Sequence, residues 1–451
     1  MAPTPSGSVR SGDRPVVFLH VGAAKSGTTY LQTVLWHNRE RLRAEGVLYP
    51  GRDFAAHVRA AFDLRRTFFR GATDPTVRGA WRELVDAARD WPGTTIISQE
   101  LFAPTHPRWV AQALADLEFA EVHVLFTARD LGRQIPAHWQ EDVKNRFTWS
   151  FDEFVDALSR PDWENFEAAR LFWGLQDPVA VLARWGARLP PERVHVVTLP
   201  RPGAPRDLLW LRFCEAVGLN PAACDLSATF ANPSLGLAET QFLRLLNEGL
   251  EDRVGWHVFN DEVKLFLAQE VLTRRPSPIK IKLPGEHLPW AVERAVETVE
   301  ALRAARYRVV GDLYELIPGY ETPPGAPPAP HPDAPRWAEA ADVGTDAVAA
   351  LLGRLLDRER QAAATPGGDA TVRERLDELS ADTAALGDLT ARMVRDAAPL
   401  TTRAARGMRR YPAVRRLGGA YRRIQARTGA RPDATAAPDA PAAPDDRADS
   451  E

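Results

Sequence analysis

From Pro15 onward, short apolar runs alternate with longer stretches in which apolar and polar positions recur at helical spacing. Residues 16–21, 95–98, 122–127 and 194–198 are largely apolar and bounded by turn formers, the pattern of strands covered on both faces. Segments 28–44, 75–90, 107–117, 178–188, 204–218, 238–248 and 290–305 carry apolar residues three and four positions apart, which predicts amphipathic helices. Strands alternating with helices predict an α/β fold, a parallel sheet flanked by helices.

The pattern changes at both ends. Residues 1–14 are rich in Ser, Gly, Pro and Arg without apolar periodicity and read as a disordered leader. The α/β domain is expected over 15–321, followed by a Pro- and Ala-rich linker at 322–336. Beyond it, Val348, Leu351, Leu352, Leu355 and Leu356 predict a helix. A second run, Val372, Leu376, Leu379, Thr383, Leu386, Thr390 and Met393, suits a short coiled coil or a helical hairpin. This helical extension is placed at 337–430, and the Ala-, Pro- and Asp-rich tail at 431–451 is expected to be disordered.

Composition narrows the class without naming it. The chain has 451 residues, 45% hydrophobic and 26% charged, with a formal net charge of −3, and so gives no reason to expect a nucleic-acid binder. Two cysteines, Cys214 and Cys224, offer neither a disulfide framework nor a thiol metal site, which fits a reducing, cytoplasmic setting. No secretory signal pattern opens the chain, and no run approaches the ~20 apolar residues of a spanning helix. Between Ala397 and Pro432 there is no acidic residue, while arginines recur from Arg403 to Arg427 among Met408, Tyr411, Leu417 and Tyr421. Such a basic amphipathic segment can make peripheral contact with anionic lipid or hold a polyanion, or it can be a solvated helix.

The densest chemistry is in the segment from Val16 to Gln32, which reads strand, small-residue loop, helix: VVFLHVGAAKSGTTYLQ. The backbone N–H groups of Ser26, Gly27, Thr28 and Thr29 are expected to face an anion at the helix N-terminus, where unpaired donors and the helix dipole both favour negative charge. Gly22 and Gly27 have Walker A spacing, but Thr28 stands where that motif requires lysine, and the lysine lies inside the loop at Lys25. The run Lys25-Ser26-Gly27-Thr28-Thr29 after a strand resembles the 5′-phosphosulfate loop of the sulfotransferases that use 3′-phosphoadenosine 5′-phosphosulfate (PAPS). The resemblance implies that Lys25 stabilises charge on the bridging oxygen as sulfur departs, without a metal.

A second motif of that family is an arginine at the end of an apolar strand with a serine eight positions on, both holding the 3′-phosphate of PAPS. Arg129 follows the run 122–127 and fits. Ala137 stands where the serine is expected, and Gln134 or His138, one helical turn apart, could supply the missing donor. Arg274, Arg275, Lys280 and Lys282 are candidates for a further basic contact, and an ion pair of Arg129 with Asp130 or Glu141 is the structural alternative.

Sulfuryl transfer needs a base for the acceptor proton. Glu100, directly after the run 95–98, should reach the same sheet edge as Lys25 and Arg129, and several members of the family use a glutamate in that context. His20, His57 and His138 are the alternatives. The turn-rich segment 231–236 is a candidate lid or acceptor wall, and the aromatic stretch 139–173 could stack on a sugar or form core. The expectation is a PAPS-dependent sulfotransferase acting on a hydroxyl or amine of a small-molecule or glycan acceptor. A nucleotide kinase or NTPase and a non-catalytic binding protein on the same fold are the rivals.

Overall fold

Six parallel strands form one sheet in the computed structural model, which describes residues 14–68, 74–227, 234–251, 253–276, 278–319, 329–334 and 336–363. The strands are β1 (Val16–Gly22), β2 (Val47–Leu48), β3 (Thr94–Ser98), β4 (Glu121–Ala128), β5 (Val194–Thr198) and β6 (Arg308–Val310), in the spatial order β2-β3-β1-β4-β5-β6. Val16 lies beside Thr94 on one side and Glu121 on the other, so β1 is central.

Alternate residues of β1 enter different cores, which is why its sequence is continuously apolar. Val17, Leu19 and Val21 pack with Leu64, Trp81, Leu84, Val110, Val181 and Trp185, from the helices Ala56–Arg65, Ala80–Arg89, Pro107–Asp116 and Pro178–Trp185. Phe18 packs on the opposite face with Leu31, Leu35, Trp210 and Phe213, from the helices Thr28–His37 and Leu208–Val217.

The four expected strands all occur within a residue of their expected bounds. The edge strands β2 and β6 were not anticipated, because two or three residues are too few to show a period. The expected helix 28–44 is divided at Asn38 into Thr28–His37 and Arg39–Ala44. Asn38 donates to Val34 O and Asp225 O, both at 2.9 Å, and accepts from the Asp225 N–H at 2.8 Å. A contact to a residue 187 positions away leaves no periodic trace in the sequence.

After β4 the chain builds a helical layer from Leu131–Lys144, Phe151–Ser159 and Glu167–Gln176, with Leu237–Leu250 and Leu288–Ala305 added later. Trp139, Phe151, Phe154 and Phe172 are fully buried there, so these aromatics are core and not a sugar-stacking surface. The helix Trp337–Ala363 lies on Leu237–Leu250, burying Ala340, Val343 and Ala347 and setting Gly344 against Phe242. Arg275 joins the two helices through Glu239 at 3.0 Å, Asp342 at 2.7 Å and Asp346. Packing therefore continues past the linker expected at 322–336. Among the described residues no helix is long and apolar enough to cross a membrane. Residues 1–13 of the leader, the coiled-coil candidate, the basic segment and the tail lie outside the described residues, as do 231–233 of the turn-rich segment.

Candidate functional site

Parallel order brings together loops that are far apart in sequence. The chain leaves β1 towards β2 and leaves β4 towards β5, in opposite directions, so a crevice opens between the carboxyl ends of β1 and β4. The loop 22–27 follows β1 and Arg129 follows β4, so both stand at this edge of the sheet.

The loop is fastened to β4. Ala23 N–H donates to Thr127 O at 2.9 Å, the Thr127 hydroxyl donates to Gly22 O at 3.0 Å, and the buried Ser26 hydroxyl donates to Ala23 O at 2.5 Å. Ser26 thus uses its side chain to shape the loop, which leaves its backbone N–H for an anion. Lys25 takes φ 62° and Gly27 φ 85°, both left-handed. At Gly27 the left-handed backbone strains any side chain, and an added Cβ would stand 2.4 Å from Leu209 Cδ2, which would have to move. The helix Thr28–His37 then starts with no side-chain cap and no acid in its first turn. An uncapped N-terminus preceded by lysine suits an anionic ligand.

Lys25 meets an acid that the sequence did not single out for it. Its ammonium lies 2.5 Å from Glu141 Oε2, on the helix Leu131–Lys144. The same oxygen is 2.6 Å from Lys144 Nζ, and Glu141 Oε1 is 3.6 Å from Lys264 Nζ. Burial pushes the Glu141 carboxyl up, but the three ammonium groups outweigh it and hold it well below the usual carboxylate range. Burial, reinforced by Lys25, brings Lys144 down to about 8 against the opposing pull of Glu141. Three cations around one anion leave a net positive cluster beside the loop.

Arg129 lies at the end of β4, where its Nη1 donates to Lys25 O at 2.8 Å. The expected alternative partners are engaged elsewhere: Asp130 caps the next helix through the Arg133 N–H at 2.9 Å and also pairs with the Arg133 side chain, and Glu141 pairs with Lys25. Arg129 also borders a narrow crevice lined by Trp173, Gln176, Pro178 and Thr298.

Gln134 is close to the loop but faces it as a brace. Its amide nitrogen donates to Ala24 O at 2.5 Å and to Gln176 Oε1, so both N–H groups are spent on protein acceptors. In this arrangement it offers a ligand only its carbonyl oxygen, which a phosphate does not accept as a partner. Gln176 continues to His138 Nδ1 at 3.0 Å, and His138 Nε2 lies 3.4 Å from Asp142. His138 sits between Phe154 and Phe172, and burial, with Lys25 adding to it, pushes its pKa down to about 3. A neutral, enclosed imidazole of that kind is a poor proton acceptor.

The other histidines are equally committed. His20 contacts the Ser98 hydroxyl at 2.8 Å and the Thr127 hydroxyl at 3.3 Å. His57 donates to Pro50 O at 2.6 Å and accepts from the Ser98 N–H at 3.0 Å. Burial lowers each to about 4. Glu100, by contrast, is partly exposed just after β3, and its carboxylate accepts from Gln32 Nε2 at 2.9 Å, a residue of the helix that follows the loop. Of the late basic residues, Arg275 is used in helix packing, while Arg274, Lys280 and Lys282 are exposed.

The structure thus groups Lys25, Ser26, Gly27, Thr28, Thr29 and Arg129, and adds Glu141, Lys144 and Lys264. A sequence signal for the first two existed: Glu141 and Lys144 share one face of the helix after Arg129. Lys264 carried none. No known protein family and no curated protein matches the chain. Among solved structures, a sulfotransferase from Alicyclobacillus acidocaldarius is similar at 17% identity and a TM-score of 0.32, covering 54% of this chain and 98% of that one.

Proposed function

We propose that this chain is a sulfotransferase that moves a sulfuryl group from PAPS to an acceptor hydroxyl or amine. The observation that carries the reading is a lysine held inside the anion loop, its backbone gripped by an arginine from the end of the adjacent strand. A kinase-type lysine would follow Gly27, and Thr28 occupies that position.

The 5′-phosphosulfate would lie over the N–H groups of Ser26 to Thr29, with Arg129 towards the 3′-phosphate. The acceptor oxygen or nitrogen attacks sulfur and gives its proton to Glu100. The bond from sulfur to the bridging oxygen breaks, and Lys25 pairs with the negative charge left on adenosine 3′,5′-bisphosphate. Glu100 is preferred to Glu141 as the base because three lysines make Glu141 a weak proton acceptor. In the free protein Glu141 holds Lys25, and Lys144 keeps it neutralised once Lys25 turns to the donor.

Isothermal titration with adenosine 3′,5′-bisphosphate, against ATP with magnesium, tests the reading. Tight bisphosphate binding, weakened by Arg129→Ala, together with turnover lost but binding kept in Glu100→Gln, is the expected result. Preference for ATP, or binding of neither nucleotide, would overturn it. Because Lys144 loses its proton near pH 8, bisphosphate affinity should decline as pH rises through that value. Lys144→Arg, which stays charged, should flatten the decline; an unchanged profile would remove Lys144 from the binding field.

A further inference from the structure

Away from the loop and Arg129, the segment 329–334 crosses the starts of two helices. Asp333 caps Phe151–Ser159, its carboxylate accepting the Phe151 N–H at 2.9 Å and the Asp152 N–H at 2.8 Å. Pro332 O and Ala334 O accept from Gln241 Nε2 at 2.6 and 2.9 Å. This docking brings His331 beside Asp152, at the start of one helix, and beside Glu286 and His287, at the start of Leu288–Ala305.

The ligand atoms converge. Asp152 Oδ1 lies 3.2 Å from His331 Nε2 and 3.7 Å from His287 Nε2, and all three atoms are within 4.8 Å of one another. Glu286 Oε1 is 3.5 Å from His331 Nε2. Ligands at ~2.1 Å around a tetrahedral ion stand about 3.4 Å apart, close to the separations of 3.2 and 3.7 Å that Asp152 Oδ1 makes with the two imidazoles; Glu286 lies outside this mutually close trio, and its exposed side chain must swing in to complete the shell. His287 Nε2 is shielded from solvent and has no hydrogen-bond partner among the described residues.

We propose that His287, His331 and Asp152, with Glu286 as fourth ligand, bind a divalent transition-metal ion of the zinc class. Two imidazoles and two carboxylates favour zinc, nickel or copper over calcium or magnesium, which take oxygen shells. To ligate through Nε2, His331 carries its proton on Nδ1 and gives up the 3.2 Å contact from the Asp333 N–H. Asp333 still holds Asp152 in place through its carboxylate. The ion would clamp 329–334 to both helix starts, a role separate from sulfuryl transfer.

The test uses the full chain, stripped with chelator and titrated with zinc against a chromophoric indicator, with cobalt(II) as a spectroscopic probe. One zinc per chain, a zinc-dependent rise in Tm, and the intense visible band of four-coordinate cobalt are expected. His287→Ala and His331→Ala should each weaken binding at least ~10-fold and abolish the Tm rise, while His106→Ala, at an exposed site, leaves both unchanged. The milder Asp152→Asn should weaken binding in a chain that keeps the fold of the parent by circular dichroism. Zinc binding unchanged in His331→Ala, or no stoichiometric binding by the parent, overturns the site.

Discussion

Lys25→Ala is expected to lower the rate of sulfuryl transfer by ~10²–10³-fold, the effect of removing one preorganised charge from a developing oxyanion. The expected loss lies in kcat, because Lys25 is assigned to charge that appears only as the bond from sulfur to the bridging oxygen breaks. Arg129 and the backbone donors remain to bind the nucleotide. The fold should survive, since Glu141 keeps Lys144 at 2.6 Å and Lys264 at 3.6 Å as counter-ions. Stopped-time assays with labelled PAPS, alongside bisphosphate titration, separate the two quantities. A variant that turns over at the parent rate would remove Lys25 from the chemistry, and one that neither binds nor turns over would make it a binding residue alone.

Glu141→Gln is expected to be the most destabilising single change at the site. It leaves Lys25, Lys144 and Lys264 facing one another, and uncompensated charges in buried settings cost ~3–5 kcal/mol. Glu141 keeps 23% of its side-chain surface exposed, which argues for the low end, about 3 kcal/mol. The effect must depend on pH with a definite sign. The folded carboxyl titrates well below its unfolded value of 4.5, so its stabilisation is complete above that value and disappears as pH falls through the folded one. Urea unfolding of parent and variant at neutral and strongly acidic pH should therefore show a gap that closes in acid. A gap of equal size at both would mean that the loss comes from packing and not from charge.

Legibility followed the length scale of each signal. The core strands were readable because both faces of β1, β4 and β5 are buried, which forces apolar runs. The strand–loop–helix segment was readable because a tight passage from strand to helix needs small residues and a left-handed position over a handful of adjacent residues, and Gly27 meets that need locally, whereas the left-handed φ of Lys25 left no trace in the sequence. Arg129 was readable for the same reason, as the residue at a strand end. The roles of His20, His57 and His138 were not. Each is withdrawn from acid–base work by partners such as Ser98, Pro50 and Gln176, and nothing in the order of residues announces those contacts.

Local pattern was therefore enough for the α/β class and for the strand–loop–helix that carries a lysine inside its loop, because backbone geometry and side-chain period act over neighbouring residues. Which acid meets Lys25, how Gln134 is spent, where Asn38 interrupts a helix and how His331 reaches His287 were decided by tertiary packing. Each depends on side chains tens to hundreds of positions apart, and only the closed sheet and the helices folded over it set the distances that fix their partners and their charge.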